Sequence, residues 1–231
     1  MAAIVCNGLT KKFGKTTALH QVDLKLEPGR IVGLAGPNGS GKTTLIKLAQ
    51  HMLVPTDGEI MVNDRTPGPE SKAHVAYLPD RDFLPDWMKV EALIRLYEKF
   101  YEDFNRETAE IMLRNLDISP DMVFKKMSKG TREKVQLILT MSRKADVYLL
   151  DEPIAGVDPA ARDYIIRTII SNYNPEGLVL ISTHLIADIE SVLDEVIFLK
   201  EGEIVLHENA DDLRMRVNKS VDEYFREVFA C

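Results

Sequence analysis

The chain lacks long apolar runs and contains almost no cysteine. Its 231 residues include two cysteines, Cys6 in an apolar strand pattern and Cys231 in the tail. We therefore expect neither a disulfide framework nor a thiolate metal site. No stretch approaches the roughly 20 apolar residues that cross a bilayer, and the N-terminus lacks the basic and apolar segments of a signal peptide. These absences predict a cytoplasmic protein.

Acidic residues outnumber basic ones. The chain has 36 aspartates and glutamates and 29 lysines and arginines, which gives a formal net charge of −7. Such a chain is a poor general binder of phosphate backbones, so we expect no nucleic-acid partner. The hydrophobic content of 45% is ordinary for a globular protein.

Apolar patterning divides the chain into three regions. Before residue 80 and after residue 144, short apolar strands alternate with helical patterns. Between them, apolar residues recur at helical spacing and predict helices at about 89–104, 107–116 and 130–141. The sequence therefore predicts an α/β core into which a helical lobe is inserted.

A glycine-rich loop lies between an apolar strand and a predicted helix. Its glycines let backbone N–H groups face phosphate oxygens, and the helix N-terminus adds its dipole. Lys42 would reach the β and γ phosphates of a nucleotide, and Thr43 would ligate Mg²⁺. The alternative, a plain turn with a solvated lysine, is disfavoured by the strand–loop–helix order. The predicted cradle comprises Gly36, Pro37, Asn38, Gly39, Ser40, Gly41, Lys42, Thr43 and Thr44.

Two carboxylates follow the buried-strand pattern at 147–150. Asp151 would reach the Mg²⁺ site, and Glu152 would point elsewhere because strand side chains alternate, which leaves it free to polarise a water. Considered without the glycine-rich loop, the two carboxylates could equally mark a strand end that is exposed to solvent. Downstream of a phosphate cradle, the pair predicts nucleotide hydrolysis.

Further segments occur in the order typical of the ABC ATPase family, which the chain resembles over its whole length. The segment 127–131, Met-Ser-Lys-Gly-Thr, is similar to the family signature Leu-Ser-Gly-Gly-Gln and begins a predicted helix. The segment 155–158 resembles the family's D-loop, and His184 occupies the place of its switch histidine. Phe13 matches the aromatic residue that stacks on adenine.

The resemblance implies a fold and a quaternary arrangement. The fold would be an ABC-type P-loop NTPase with a mostly parallel core sheet, an N-terminal antiparallel β subdomain and an inserted helical subdomain. It would form one ATPase domain, 1–231, with the helical part at about 80–144. Two subunits, identical or paralogous, would enclose ATP and Mg²⁺.

The resemblance also assigns roles to residues. Ser128, Lys129 and Gly130 of one subunit would close over the nucleotide of the other. Glu152 would activate water, His184 would contact the γ phosphate, and Asp158 would join the two subunits. The chain would be peripheral on the inner face of the cell membrane, and a separate transmembrane permease would convert the opening and closing of the dimer into transport. The short lobe and the tail resemble small exporter ATPases of drug and antimicrobial-peptide resistance.

Several positions depart from the family pattern or allow a second interpretation. Asp80 stands where the family has glutamine, and its oxygens suit Mg²⁺. Lys129 and Thr131 depart from the signature. Phe13 is either a stacking residue or a core aromatic, and the apolar segment 83–88 either receives the permease or packs under the helical lobe.

Two rival functions remain open at this point. One is a soluble ABC-type ATPase that acts on ribosomes or DNA, although such proteins usually carry two cassettes or long insertions. The other is a nucleotide-dependent regulatory module with little hydrolysis, which the presence of both Glu152 and His184 disfavours.

Overall fold

The structure is a computed structural model that describes residues 2–155, 157 and 159–230. Two β-sheets organise this part of the chain. A three-stranded antiparallel sheet has the order β2-β1-β4, and a six-stranded sheet has the order β5-β6-β7-β3-β8-β9. The strands are β1 (Ile4–Phe13), β2 (Thr16–Leu26), β3 (Ile31–Ala35), β4 (Asp57–Val62), β5 (Val75–Leu78), β6 (Val147–Asp151), β7 (Leu178–Thr183), β8 (Glu195–Lys200) and β9 (Glu203–Asn209).

The larger sheet is parallel except for β9, which pairs antiparallel with β8. Its central strands are continuous apolar runs because both faces of the sheet are covered. Every residue of β3, β6 and β7 is buried. The predicted fold class, with a mostly parallel core sheet and an N-terminal antiparallel sheet, is confirmed.

The helices flank the large sheet and fill the segment between β5 and β6. They are α1 (Lys42–Ala49), α2 (Pro69–Ala73), α3 (Val90–Phe100), α4 (Arg106–Asn115), α5 (Lys129–Met141), α6 (Pro159–Asn172), α7 (Ala210–Val217) and α8 (Val221–Phe229). Within the described residues, no helix is both long and apolar enough to cross a membrane. The sequence pattern anticipated most of these helices but not α2 and α7.

The hydrophobic core has three parts. Two clusters include apolar side chains of the large sheet, and Cys6 lies in one of them. Burial raises the pKa of the Cys6 thiol to about 12, as expected for a strand thiol without a chemical role. The third cluster joins α3, α4 and α5. That these helices form a subdomain within one ATPase domain stays a prediction.

Arg143 fastens these helices to the large sheet. Its side chain, only 2% exposed, forms a bidentate ion pair with Asp103 at 2.8 and 2.9 Å. The same guanidinium donates to the carbonyl oxygens of Ala73 and Val75 at the start of β5 and lies 3.8 Å from the ring centroid of Tyr101. One arginine therefore joins the end of α5, the α3–α4 connection and the edge strand.

We predict that Arg143→Met destabilises the protein by about 3–5 kcal/mol, because the buried partners are left without their cation. Arg95→Met is the matched control, since Arg95 is 71% exposed in its ion pair with Glu91 and its loss should cost less than about 1 kcal/mol. Urea unfolding followed by circular dichroism measures both. Equal losses in the two variants would contradict the role given to Arg143.

Candidate functional site

The glycine-rich loop connects the end of β3 to the start of α1. The side chain of Lys42 is buried and folds back over the loop, where its Nζ donates to the carbonyl oxygens of Gly36 at 2.7 Å and Pro37 at 3.2 Å. The hydroxyl of Ser40 is buried without a hydrogen-bond partner. An unpaired polar atom of this kind is rare in native proteins and marks a place where a ligand group can bond.

Two glycines of the loop have no room for a side chain. A Cβ at Gly36 would lie 2.3 Å from the carbonyl oxygen of Leu199. Gly41 has a φ of +113°, and a Cβ there would lie 2.5 Å from the carbonyl oxygen of Ala18. Only glycine fits these backbone positions, so the shape of the loop depends on both.

Asp151 ends the central strand β6 beside Thr43. Its Oδ1 accepts hydrogen bonds from Ser182 Oγ at 2.6 Å and Thr43 Oγ1 at 3.1 Å. Its Oδ2 is buried and has no partner. Burial raises the pKa of this carboxyl, and the negative charges of Asp80 and Glu152 add to the effect.

Glu152 lies between Lys42 and His184. One carboxylate oxygen is 3.4 Å from Lys42 Nζ, and the other is 2.8 Å from His184 Nδ1. The strand ends at Asp151, and Glu152 has a φ of +52°, so its direction is set by a left-handed turn and not by the predicted strand alternation. Its N–H donates to both the carbonyl and the hydroxyl oxygen of Ser182.

Asp80 lies in the turn after β5 and lines a cavity of about 290 Å³ that Glu152 also borders. Within residues 2–155, 157 and 159–230, no set of three or more His, Cys, Asp or Glu side chains is arranged to hold a metal ion alone. The hydroxyl of Thr43 and the free oxygen of Asp151 nevertheless suit Mg²⁺, which usually takes its remaining ligands from phosphates and water.

The signature segment lies at the start of α5. Ser128 is the N-cap of this helix and accepts from the N–H of Thr131 at 3.2 Å, while the two hydroxyl oxygens are 2.8 Å apart. Lys129 is exposed, 3.7 Å from Glu133, and reaches the cavity beside Glu152. No ion pair or hydrogen bond in the described part of the chain joins Ser128, Lys129 or Gly130 to the cradle.

The structure separates the two interpretations of Phe13. The ring lies at the end of β1, is 48% exposed, and has Lys11 Nζ 5.1 Å from its centroid. The core-aromatic interpretation is therefore wrong. Asp158 lies outside the residues that the structure describes.

The apolar segment 83–88 divides between the two roles expected for it. Leu84 is buried in the cluster of α3, α4 and α5, and Met88 packs against it. These two residues therefore belong to the core of the helical lobe. Phe83 and Trp87 are 40% and 71% exposed. The exposed rings of Phe83 and Trp87 are apolar surface that a partner could cover.

Sequence reasoning missed a network that ties the Asp80 turn to the signature helix. Asp82 accepts from Arg132 Nε at 2.7 Å and from Gln136 Nε2 at 2.9 Å. Gln136 Oε1 in turn accepts from the N–H of Phe83, and Arg132 donates to the carbonyl of Met127. These residues are about 50 positions apart, so no local pattern reveals the contact. Ser182, also missed, stands directly after a buried apolar run.

Comparison with known proteins gives a consistent result. The family model described as ABC transporter matches residues 19–155. An uncharacterised ABC transporter ATP-binding protein of Methanocaldococcus jannaschii is 30% identical over 91% of this chain and 79% of its own length. The bacitracin transport ATP-binding protein BcrA of Enterococcus faecalis is 27% identical over 94% and 72%, respectively. A solved ATP-binding subunit of an ABC transporter superposes with a TM-score of 0.86, at 26% identity, over 98% of this chain and 99% of that one.

We predict that Asp151→Asn raises the melting temperature of the nucleotide-free protein at pH 7. The pKa of Asp151 is higher in the folded chain than in the unfolded one, so its contribution to stability falls as pH rises from the ordinary carboxyl range through the raised value. Removing the charge should also flatten the fall in stability across that interval. Differential scanning calorimetry from pH 4 to neutral pH tests this, with Asp163→Asn, at an exposed position of α6, as control. A lower melting temperature for Asp151→Asn would contradict the account.

Proposed function

This chain belongs to the ABC transporter family as an ATP-binding subunit, and from that premise we propose that it hydrolyses ATP between two subunits to drive a separate membrane protein. The observation that carries the proposal is the contact of Glu152 with both Lys42 and His184 at the mouth of the phosphate cradle. A potential base, a phosphate-binding cation and an orienting imidazole meet at one point, as in-line attack on a γ phosphate requires.

In the proposed complex, the loop 36–44 surrounds the phosphates and Phe13 stacks on the base. The buried Ser40 hydroxyl and the N-terminus of α1 gain phosphate partners. Thr43 and Asp151 would hold Mg²⁺, with Asp80 within electrostatic reach of Asp151. When bound, that ion neutralises charge on the phosphate oxygens.

Nucleotide binding changes the partners of Lys42. The ammonium group lies between two carbonyl oxygens of the loop and the Glu152 carboxylate. A γ phosphate carries more charge than either kind of partner and draws the ammonium toward itself. Glu152 then loses its contact with Lys42 and is free to accept a hydrogen bond from a water.

The chemical step follows from this arrangement. Glu152 accepts a proton from a water while the water oxygen bonds to the γ phosphorus, and the bond to the bridging oxygen breaks to release ADP. His184, next to the outer oxygen of Glu152, orients that carboxylate and contacts the γ phosphate.

The second subunit completes the site. Ser128, Lys129 and Gly130 are exposed at the N-terminus of a 13-residue helix and have no bond to the cradle of their own chain. Their N–H groups and the lysine charge suit a phosphate bound to another copy or to a paralogue. Asp158 would join the two subunits.

The transport partner is proposed to be a transmembrane permease, with this chain held at the cytoplasmic, inner face of the cell membrane. The relative BcrA is named for bacitracin transport. The proposal of an exporter of the drug- and peptide-resistance type rests on the resemblance of the short helical lobe and the tail. The whole chain, 1–231, would act as one ATPase domain whose helical part, about 80–144, moves with the signature helix.

We predict that Glu152→Gln retains ATP binding but slows hydrolysis by about a hundredfold or more, because the proton acceptor is lost. An ATP-bound dimer should then accumulate and elute earlier than the nucleotide-free protein in size-exclusion chromatography. Glu70→Gln, at an exposed position of α2, is the control and should behave as wild type. Full ATPase activity in a Glu152→Gln protein that stays monomeric would refute the proposed function.

We predict that Phe13→Ala weakens ATP and GTP binding alike, by about 1–3 kcal/mol, because stacking uses the face of the base and not its edges. Melting temperature should change little, since the ring is half exposed. Phe100→Ala removes a ring that is 70% exposed on α3 and should leave affinity unchanged. Fluorescence titration with labelled nucleotides distinguishes the two variants, and equal affinities would remove Phe13 from the site.

A further inference from the structure

Glu152 and His184 lie on two different loops, so their contact depends on how those loops are held relative to each other. The first loop follows β6 and turns twice, because the N–H of Ala155 donates to the carbonyl of Glu152 at 3.1 Å and that of Val157 to Ile154 at 3.4 Å. The second loop follows β7. The ring of His184 is 38% exposed, and its one hydrogen bond to any residue that the structure describes is the contact with Glu152.

Arg162, in the first turn of α6, bonds both loops with one side chain. Its Nε donates to the carbonyl oxygen of Val157 at 3.0 Å, in the loop that carries Glu152. Its Nη1 donates to Oδ2 of Asp188 at 2.8 Å, in the short 3-10 turn that follows His184. A guanidinium is a planar fork of fixed geometry, so these two bonds set a definite spacing between the loops.

The core holds all three segments that this arginine joins. Val157 of the first loop is buried, and so is Ile165, less than one turn further along α6. Ile186 and Ile189, which stand on either side of Asp188 in the sequence, are buried as well. These four side chains belong to one hydrophobic cluster. The bonds of the guanidinium therefore end on packed parts of the fold, where a change in spacing is resisted.

The arginine is the second of two attachments between the loops. At their base, the N–H of Glu152 already donates to the carbonyl and hydroxyl oxygens of Ser182 in β7. Arg162 joins the same loops at their far ends. One attachment fixes a distance but leaves rotation free, whereas two fix the angle between the loops as well. The position of His184 against the Glu152 carboxylate therefore depends on both attachments.

Resting on the proposed function, we infer that Arg162 is a positioning residue for ATP hydrolysis, which holds the two loops at the spacing where His184 orients the Glu152 carboxylate. Its own hydrogen bonds go to the loops and to no residue of the phosphate cradle. Its loss should therefore slow the chemical step and leave nucleotide binding nearly unchanged. Lysine cannot replace it fully, because a single ammonium group lacks the rigid fork that reaches both partners at set angles.

Kinetics of the full chain provide the first test. Arg162→Met keeps much of the length of the side chain and removes both hydrogen bonds. We expect kcat for ATP to fall about tenfold, because a small displacement of the orienting group misplaces the base, while KM stays within about twofold of the wild-type value. Arg162→Lys should give an intermediate kcat. Arg167→Met, at an exposed position of the same helix, is the matched control and should keep wild-type kinetics. Circular dichroism checks that all three variants are folded.

The ring of His184 reports the spacing directly. The chain has five histidines, so nitrogen-15 labelling of histidine gives few ring signals in a nuclear magnetic resonance spectrum, and His184→Gln identifies the one of interest. A ring nitrogen that loses its carboxylate partner changes its resonance. We expect the His184 signal to move in Arg162→Met and to stay in place in Arg167→Met. His20 and His207 also lie 2.8 Å from carboxylates, far along the chain from this site. Their signals should stay unchanged in both variants, which excludes a general loosening of the fold.

The outcomes separate this inference from the proposed function. Wild-type kcat in Arg162→Met, or a His184 signal that does not move, overturns the inference and leaves the proposed ATPase intact. Equal losses of activity in Arg162→Met and Arg167→Met overturn it as well, because they would show a general effect on α6. A wild-type chain that hydrolyses no ATP overturns the proposed function and this inference with it. A lower kcat at unchanged KM, with a His184 signal that moves in Arg162→Met alone, establishes the positioning role.

Discussion

The buried ion pair between Lys42 and Glu152 is the interaction on which the site depends. Both side chains are largely removed from solvent, with exposures of 6% and 14%, and each would be costly to bury alone. They neutralise each other at the mouth of the cradle. A phosphate that competes for Lys42 therefore does two things at once: it fills the cradle, and it releases the carboxylate that the chemistry needs. Nucleotide binding and the release of Glu152 would therefore occur together, because both follow when Lys42 exchanges Glu152 for a phosphate.

The rest of the fold holds the residues of this site in place. The parallel strands bring Asp151, Ser182 and the loop after β3 to one edge of the sheet, where ligands of such folds bind. Two polar attachments then tie α5 to that edge: Arg143 anchors its C-terminal end to β5, and Asp82 holds its first turns through Arg132 and Gln136. Because β5 leads directly into the Asp80 turn, the helix that begins at Ser128 has little freedom to move without that turn.

The features that could be predicted from the sequence are those whose residues lie close together along the chain. The cradle and the β6 carboxylates were predictable because a strand, a glycine loop and a helix start are local patterns. The α2 and α7 helices were missed because they are short and mostly polar, so they carry little periodicity. The contact of Lys42 with Glu152, and that of Asp82 with Gln136, join segments 110 and 54 residues apart. The left-handed turn at Glu152 was equally hidden, since glutamate gives no local signal for positive φ.

A strained backbone position and a buried polar atom without a partner occur side by side at this edge of the sheet. Glu152 has a backbone conformation that non-glycine residues rarely adopt, and Asp151 is a buried carboxylate with one oxygen unpaired. Neither feature stabilises the fold by itself, and the raised pKa of Asp151 reflects the cost of its burial. A cation and a phosphate chain would supply the missing partners of Asp151 and Ser40 together, so ligand binding should stabilise the fold. The residues that oppose folding are therefore those that the proposed chemistry requires.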